Sequence, residues 1–477
     1  MGDTAEPSIP LVVPIDTRDG TLTKDSKMVN CFAEQTPSGW AAIKRPGTTI
    51  GATVPSGTPQ GVFLHDGGVY AIVNDTMYRI DLGGTPVGVA LPGVTGPTAQ
   101  YQALSDVIVG TSGIKSQYGG WVLQGAVITQ VTDPNYPVVT CQGLAWLNGT
   151  TYVVEINGAS KRNVIRGSDL DAPLVWDPLN FLETSTATGL AVYCCNYLNY
   201  VAVFTEYGLQ MYYDAGNPTG SPLSPVSNAS WLTGCGSSGS VVKIVDDLYF
   251  VSNSSVTGYA VTVLRGLTLS TVSTPAIERV LNAQVFVTVF AEAVRVLGHS
   301  FYVLNGVTAG GASTCLAYDL TTQQWAVWTS YVSGAETGFV GVHCITKNGI
   351  YYMQDRISGI CLLLSPSATQ DDIGTVRGVQ PIYTRIVTKP YDWGTLKLKF
   401  MTAVYFIADT VSATVALSYT DDDYATFSTP RTINFNTVKK FGLRFGSSRR
   451  RAWQLLHTAA TTLKVYLMEV EVDRSSE

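Results

Sequence analysis

Short apolar runs broken by glycine-bearing turns recur along this chain, and helical periodicity is scarce. Between residues 197 and 253, four such runs (VAVF, LQMYY, VVKIV and LYFVSN) predict two antiparallel hairpins. A segment rich in Pro, Gly, Ser and Asn, 216–230, separates them and is predicted to be a loop. Together they span about fifty residues, the length of one β-propeller blade.

Strand-rich windows of the same kind continue from residue 61 to residue 364, at intervals that average about 47 residues. The clearest hairpin is STCLAYDLTTQQWAVWT at 313–329, in which a Thr-Thr-Gln-Gln turn joins two strands. The spacing predicts a β-propeller of six or seven blades over residues 51–370. Two stacked β-sandwiches are the alternative.

The two ends of the chain have a different pattern. Residues 1–50 carry prolines and weak strand signals only at 11–13 and 29–34, which predicts an extended N-terminal arm lying against another domain or a neighbouring subunit. In residues 371–477, apolar and polar residues alternate over longer stretches, which predicts a β-sandwich-like C-terminal domain. Its expected strands are 396–400, 404–407, 413–419, 439–445 and 463–472.

Helices are expected at only two places in this all-β protein. At 274–283, Thr274 can cap the first turn and Pro275 fits the first helical position. A second short helix is predicted at 177–182.

Composition narrows the class of protein. Of the 477 residues, 45% are hydrophobic and 14% are charged, which excludes a disordered chain, and the net charge of −6 argues against a dedicated nucleic-acid reader. Most of the eight cysteines lie in apolar runs, which favours buried thiols in a reducing compartment over a metal site. The N-terminus resembles neither a signal peptide nor a myristoylation site, and no apolar run is long enough to span a membrane.

The sequence predicts no catalytic, cofactor-binding or metal-binding residues. Glu155, Glu183 and Glu206 are the candidate glycosidase carboxylates, but nothing in the sequence pairs them. The acidic run 421–423 lacks the alternating ligands of a calcium loop and is expected to be a turn. The four histidines are scattered and support no triad.

One basic run is the candidate interface. Between Arg431 and Met468 the chain has eight Lys or Arg residues and no Asp or Glu, and Arg449, Arg450 and Arg451 are adjacent. Three interpretations stay open. The run could face an acidic protein surface, contact a phosphate backbone without reading bases, or form a solvated sheet edge.

Several sequence blocks follow one another in order along the chain. They are VNCFAE (29–34) with KRPGT (44–48), SDLDAPLVWDPLNF (168–181), FTEYGLQMYYDAGNP (204–218), GCGSSGSVVKIVDDLYFVSN (234–253), TLSTVSTPAIERVL (268–281), HSFYVL (299–304) and CLAYDLTTQQWAVW (315–328). Taken in this order, the blocks resemble the tail hub or nozzle proteins of short-tailed bacteriophages (podophages), the packaged-DNA stabilisation or head-closure family.

The resemblance implies a structural virion protein and not an enzyme. Such a protein assembles in the host cytoplasm as a homo-hexameric ring below the portal and adaptor rings. It closes the head, retains the packaged double-stranded DNA without sequence specificity, and conducts it at ejection. Tailspikes, fibres or a needle attach around it. The competing hypothesis is a carbohydrate-binding or depolymerising phage propeller.

Overall fold

The structure is a computed structural model that describes residues 8–82, 85–91, 99–102, 108–111, 113–114, 120–124, 127–137, 139–157, 162–184, 189–374, 377–436, 440–441 and 444–474. Antiparallel strands dominate these residues. One α-helix, Pro275–Ala283, and one short 3-10 helix, Ser238–Ser240, interrupt them within the described ranges. The expectation of an all-β protein is confirmed.

Seven antiparallel sheets follow one another around a propeller, so the described strands form seven blades. The strands of the first four are, in order from the innermost, Pro59–His65, Gly68–Val73, Thr76–Arg79 and Gly88–Ala90 (blade 1); Ala99–Gln102, Ile108–Thr111, Gly120–Gln124 and Val127–Gln130 (blade 2); Val139–Thr140 with Ala145–Leu147, Thr150–Asn157, Arg162–Asp169 and Ala172–Glu183 (blade 3); and Ala191–Tyr197, Tyr200–Thr205, Leu209–Asp214 and Leu223–Trp231 (blade 4). A short strand, Gly113–Ile114, also pairs with Val139–Thr140.

The remaining blades complete the circle. Their strands are Gly234–Cys235 with Val242–Ile244, Asp247–Ser254, Gly258–Arg265 and Thr268–Thr271 (blade 5); Phe286–Val296, His299–Thr308, Ser313–Asp319 and Gln324–Val327 (blade 6); and Gly341–Lys347, Ile350–Asp355, Cys361–Ser365 and Gly47–Ile50 (blade 7). Two small hairpins, Thr329–Val332 with Ala335–Gly338 and Gln370–Asp372 with Val379–Pro381, flank blade 7.

The propeller is closed by a strand from the N-terminal part of the chain. Gly47–Ile50 pairs antiparallel with Cys361–Ser365 as the outermost strand of blade 7. The innermost strand of blade 7 lies beside that of blade 1. Blade 7 therefore joins strands that are about three hundred residues apart in the sequence. Because its innermost strand contacts those of blades 6 and 1, blade 7 closes the ring of blades.

A β-sandwich stands beside the propeller, and both ends of the chain build it. One sheet contains Ser8–Pro10, Cys31–Thr36, Gly39–Lys44, Lys399–Ala408, Lys440–Phe441, Gly446–Ser448 and Lys464–Arg474; the other contains Lys27–Val29, Thr384–Val387, Thr414–Thr420, Arg431–Asn434 and Ala452–His457. Segment 8–44, expected to be an extended arm, therefore supplies strands to this sandwich. The strand signal at 11–13 was wrong, because these residues follow the first strand without pairing.

The second sandwich sheet continues directly into blade 6. Lys27–Val29 pairs antiparallel with Thr384–Val387, and Val29 also bridges in parallel to Val327 at the outer edge of blade 6. The result is one nine-stranded sheet that runs from the propeller into the sandwich. One buried apolar cluster likewise extends from Phe301 and Trp328 in and after blade 6 to Val470 in the sandwich.

A buried ion pair stabilises this junction. Arg45 donates to both carboxylate oxygens of Asp371, at 3.0 and 2.6 Å, and both side chains are fully buried. Its remaining donors reach the Asn30 side chain and the carbonyl oxygens of Pro46 and Thr329. Because every donor has an acceptor, the buried guanidinium is compensated.

The local predictions had mixed outcomes. The helix at 274–283 is confirmed, with the Thr274 hydroxyl accepting from the Ile277 amide and Pro275 in the first turn. Residues 177–182 are strand instead of helix, because they form the edge of blade 3 opposite Arg162–Asp169. Much of 216–230, expected to be a loop, is the outermost strand of blade 4.

Candidate functional site

The three adjacent arginines of the basic run have different surroundings. Arg449 is exposed, and its Nη1 donates to the Leu396 carbonyl at 2.7 Å. Arg450 is exposed beside the acidic turn 421–423, with which it lines a small cleft. Arg451 is only 1% exposed. The run does not form one surface, and only Arg449 and Arg450 can reach a partner directly.

Arg451 is instead a core residue of the sandwich. It forms a two-pronged pair with Asp421, Nε to Oδ1 at 2.7 Å and Nη2 to Oδ2 at 2.6 Å. Its guanidinium carbon lies 3.7 Å from the centroid of the Tyr419 ring, and Nη1 donates to the Phe445 carbonyl. The aromatic face and the paired carboxylate together compensate a cation that is removed from water.

The acidic run 421–423 is a turn, as expected. Asp422 accepts from the Thr420 hydroxyl at 2.7 Å and from the Thr426 amide and hydroxyl at 2.9 and 2.5 Å. These donors lower the pKa of Asp422 to about 2. No group of three or more metal-ligating side chains occurs in the described ranges.

A cavity of about 310 Å³ lies at the propeller axis. Described residues of six blades line it, among them Val62, Gln142, Tyr193, Ser238, Glu292 and His343. Both oxygens of Glu292 accept backbone amides of blade 7, from His343 and, at 2.6 Å, from Cys344. Glu292 thus links the innermost strands of the neighbouring blades 6 and 7.

The charge states of Glu292 and His343, which line this cavity, follow from their burial. Burial raises the pKa of Glu292 to about 8, although the two backbone amides oppose that shift. Burial lowers the pKa of His343 to about 4, so the imidazole is neutral at pH 7. His343 Nε2 contacts no hydrogen-bonding group of the described residues, and its φ of +55° lies in the left-handed region. Sequence reasoning offers no signal for this cluster, because its members are far apart along the chain.

The carboxylates considered for glycoside chemistry lie in blades 3 and 4. Glu155 pairs with Arg166 at 2.8 Å, and Glu183 pairs with Arg162 at 3.1 Å, both in blade 3. Glu206 lies at a turn of blade 4, where it accepts from the Leu190 amide. Each of the three therefore has a structural partner of its own.

His299, the first residue of the strand His299–Thr308, is buried in blade 6. Its Nδ1 lies 2.7 Å from Asp319 Oδ2, and its ring packs on Phe32 of the sandwich. It contributes to the junction between the two units.

No α-helix of the described residues is long and apolar enough to cross a lipid bilayer.

By its fold, the chain belongs to the class of seven-bladed β-propellers with an attached β-sandwich. A family model described as "Bacteriophage P22 Gp10, beta-propeller" matches residues 9–368. The chain therefore belongs to this phage stabilisation family, as its sequence blocks indicated. No curated protein sequence matches the chain significantly.

Several solved structures show a weak similarity to this chain. A catalytically inactive virginiamycin B lyase from Staphylococcus aureus, in complex with quinupristin, is 14% identical, with a TM-score of 0.41 over 67% of this chain and 98% of that chain. Apo AztD from Citrobacter koseri is 13% identical, with a TM-score of 0.34 over 62% and 80%. An exo-beta-1,3-galactanase from Phanerochaete chrysosporium is 9% identical, with a TM-score of 0.26 over 94% and 100%.

Proposed function

We propose that this chain forms the ring-shaped tail hub, or nozzle, of a short-tailed phage, below the portal and adaptor rings. The ring closes the head, retains the packaged DNA and conducts it at ejection. It assembles in the host cytoplasm and carries spikes, fibres or a needle at its periphery. The observation that carries the proposal is the family match over residues 9–368.

The DNA path in this proposal is the axis of the ring and not that of one propeller. The propeller's axial cavity of about 310 Å³ has the size of a small-molecule site and is far too small for a duplex. Several copies must therefore surround the DNA. The net charge of −6 suits such a conduit, because an acidic wall does not bind a polyanion that has to slide past it.

The interlocked architecture supports a mechanical role. The shared nine-stranded sheet and the buried Arg45–Asp371 pair connect propeller and sandwich through β-pairing, hydrogen bonds and a common core. A body connected in this way transmits load without a flexible linker. The carbohydrate-active alternative has no such support, because Glu155, Glu183 and Glu206 are engaged separately.

A particle-level experiment tests this function. Purified phage particles containing the chain are imaged by electron cryo-microscopy, and detached tails are weighed by native mass spectrometry. We expect six copies in a closed ring around the DNA at the portal vertex. Three or twelve copies would contradict the six-fold ring, and a peripheral position on a spike would contradict the hub. Sugar release from host polysaccharide by the purified chain would favour the depolymerase.

A further inference from the structure

Blade 3 has an outer edge that is both apolar and acidic. Its outermost strand, Ala172–Glu183, has no strand on its far side among the described residues. Leu170 is 69% exposed and Leu179 is 66% exposed, and Val175 and Phe181 are also exposed. Asp169 and Asp177 are exposed among them. We call these six residues the blade-3 patch.

The acidic charge of the blade-3 patch is not neutralised locally. The basic neighbours Arg162 and Arg166 are each paired, with Glu183 and Glu155. Neither Asp169 nor Asp177 is in an ion pair with a described residue. Soluble proteins seldom leave so many large apolar side chains exposed together, and such clusters commonly mark interaction sites.

The sandwich has an edge with the opposite charge. Leu396 is 67% exposed, and Leu398 and Phe400 are exposed next to it. Lys397 is exposed between the two leucines. Arg444 and Arg449, also exposed, flank the strand Gly446–Ser448, which pairs with Lys399–Ala408. We call these six residues the sandwich patch.

The sandwich patch keeps a net positive charge. Its acidic neighbour is Asp473, which lies opposite Phe400 in the sheet. Lys397, Arg444 and Arg449 form no ion pair with the described acidic residues, whereas Arg450 lies beside the acidic turn 421–423 and is excluded from the patch for that reason. Three cations thus surround three exposed apolar side chains.

The two patches lie on opposite sides of the molecule. The sandwich is attached to the outer edge of blade 6, and blade 3 is three blades away in a seven-bladed circle, so it lies nearly across the propeller. Two complementary patches on opposite sides of one chain generate a head-to-tail contact, which repeats between copies and closes into a ring when the rotation allows it.

We infer that the blade-3 patch of one copy binds the sandwich patch of the next copy, and that this contact builds the ring. The inference rests on the proposed function and adds the surfaces to it. The apolar side chains supply the buried area, and the opposite charges select register and partner. The occupant of each patch is therefore a second copy of this chain.

The contact is tested by reversing the charges of one patch at a time and then of both patches together. Full-length variants are supplied to the phage by complementation, and the resulting particles are analysed. One variant carries Lys397→Glu and Arg449→Glu, and a second carries Asp169→Lys and Asp177→Lys. Each places like charges across the contact, so we expect about tenfold fewer copies of the chain per particle. The variant with all four changes restores opposite charges, and we expect near wild-type incorporation.

A matched control carries Lys24→Glu and Asp246→Lys, which change two exposed charges outside both patches, and it should incorporate normally. Misfolding cannot account for restoration in the fourfold variant. Normal incorporation of both reversed variants overturns the inference, as does loss without restoration, which would point to a different protein as partner. Absence of the wild-type chain from particles defeats the proposed function, and the inference with it.

Discussion

At the scale of single residues, buried arginines are compensated by fixed partners, both at the junction of propeller and sandwich and inside the sandwich. Arg45 and Asp371 are fully buried where propeller, sandwich and N-terminal strands meet. Arg451 lies under Tyr419 inside the sandwich. Removing one partner of a buried pair leaves an uncompensated charge, at a cost of about 3–5 kcal/mol. Substitutions at these positions therefore report on folding and not on binding.

Glu292 predicts a pH dependence of stability. Its folded-state pKa is raised to about 8, above the ordinary 4.5 of a glutamate. A group with a raised folded pKa stabilises the protein fully below its unfolded pKa, and that stabilisation is lost as the pH rises through the folded value. We expect Glu292 to reduce the free energy of unfolding by roughly 3 kcal/mol between pH 5 and pH 8.

Chemical denaturation of wild type and Glu292→Gln across this pH range measures that contribution. The variant cannot ionise at position 292, so its stability should fall less between pH 5 and pH 8. His343 titrates in the opposite sense, because its lowered pKa removes stability only as the pH falls below the usual histidine range. It is present in both proteins and cancels in the difference. Parallel pH curves for the two proteins would show that Glu292 is not the cause.

The sequence could not distinguish Arg449 from Arg451. The two residues are two positions apart in a run of three arginines, and composition treats them alike. The tertiary structure places them in different surroundings. Arg451 bridges to Tyr391 directly before the strand Ala452–His457 and is buried, whereas Arg449 lies in the bend before it and is exposed. The prediction of an interface at Arg449, Arg450 and Arg451 thus stays open only for the two exposed arginines.

At the scale of elements, turn chemistry and alternation predicted most hairpins, and edge strands were the source of error. The hairpin Ser313–Asp319 with Gln324–Val327 was predicted from its turn and its tryptophan. Strand Leu223–Trp231 was missed, because its proline, serines and asparagine resemble a loop and only its pairing with Leu209–Asp214 makes it a strand. Proline is tolerated on such outer strands, where no further ladder bond is needed.

The strand that closes blade 7 offers a second prediction. A Cβ at Gly47 would collide with the backbone of Gln370, which is not a flexible side-chain end that could move away. We expect Gly47→Ala to lower the free energy of unfolding by about 2 kcal/mol, the usual cost of overpacking. Denaturant titration measures it.

Gly310→Ala is the matched control. A Cβ there meets only the Thr308 hydroxyl, at 4.0 Å. Its effect should stay within about 0.5 kcal/mol, as for most surface substitutions. Equal stability of the two variants would show that the Gly47–Ile50 strand shifts without loss and that the closure is not tightly constrained.

At the scale of the whole molecule, propeller and sandwich share a sheet and a core, although the sequence suggested separate domains at 51–370 and 371–477. That division remains a prediction about folding units. Because the nine-stranded sheet crosses the boundary, we expect a single cooperative transition in scanning calorimetry. Two resolved transitions, with Arg45→Met shifting only one of them, would show that the units unfold independently.

The pairing of distant segments also dictates when this protein can fold during its synthesis. The hairpin formed by Cys31–Thr36 and Gly39–Lys44 joins its sheet through Lys464–Arg474, which the ribosome delivers 420 residues later (464 − 44). At bacterial elongation rates that delay is roughly 20–80 s. During this delay, the nascent chain carries the strands Cys31–Thr36 and Gly39–Lys44 without their partner strand. The sandwich therefore cannot close until Lys464–Arg474 has left the ribosome.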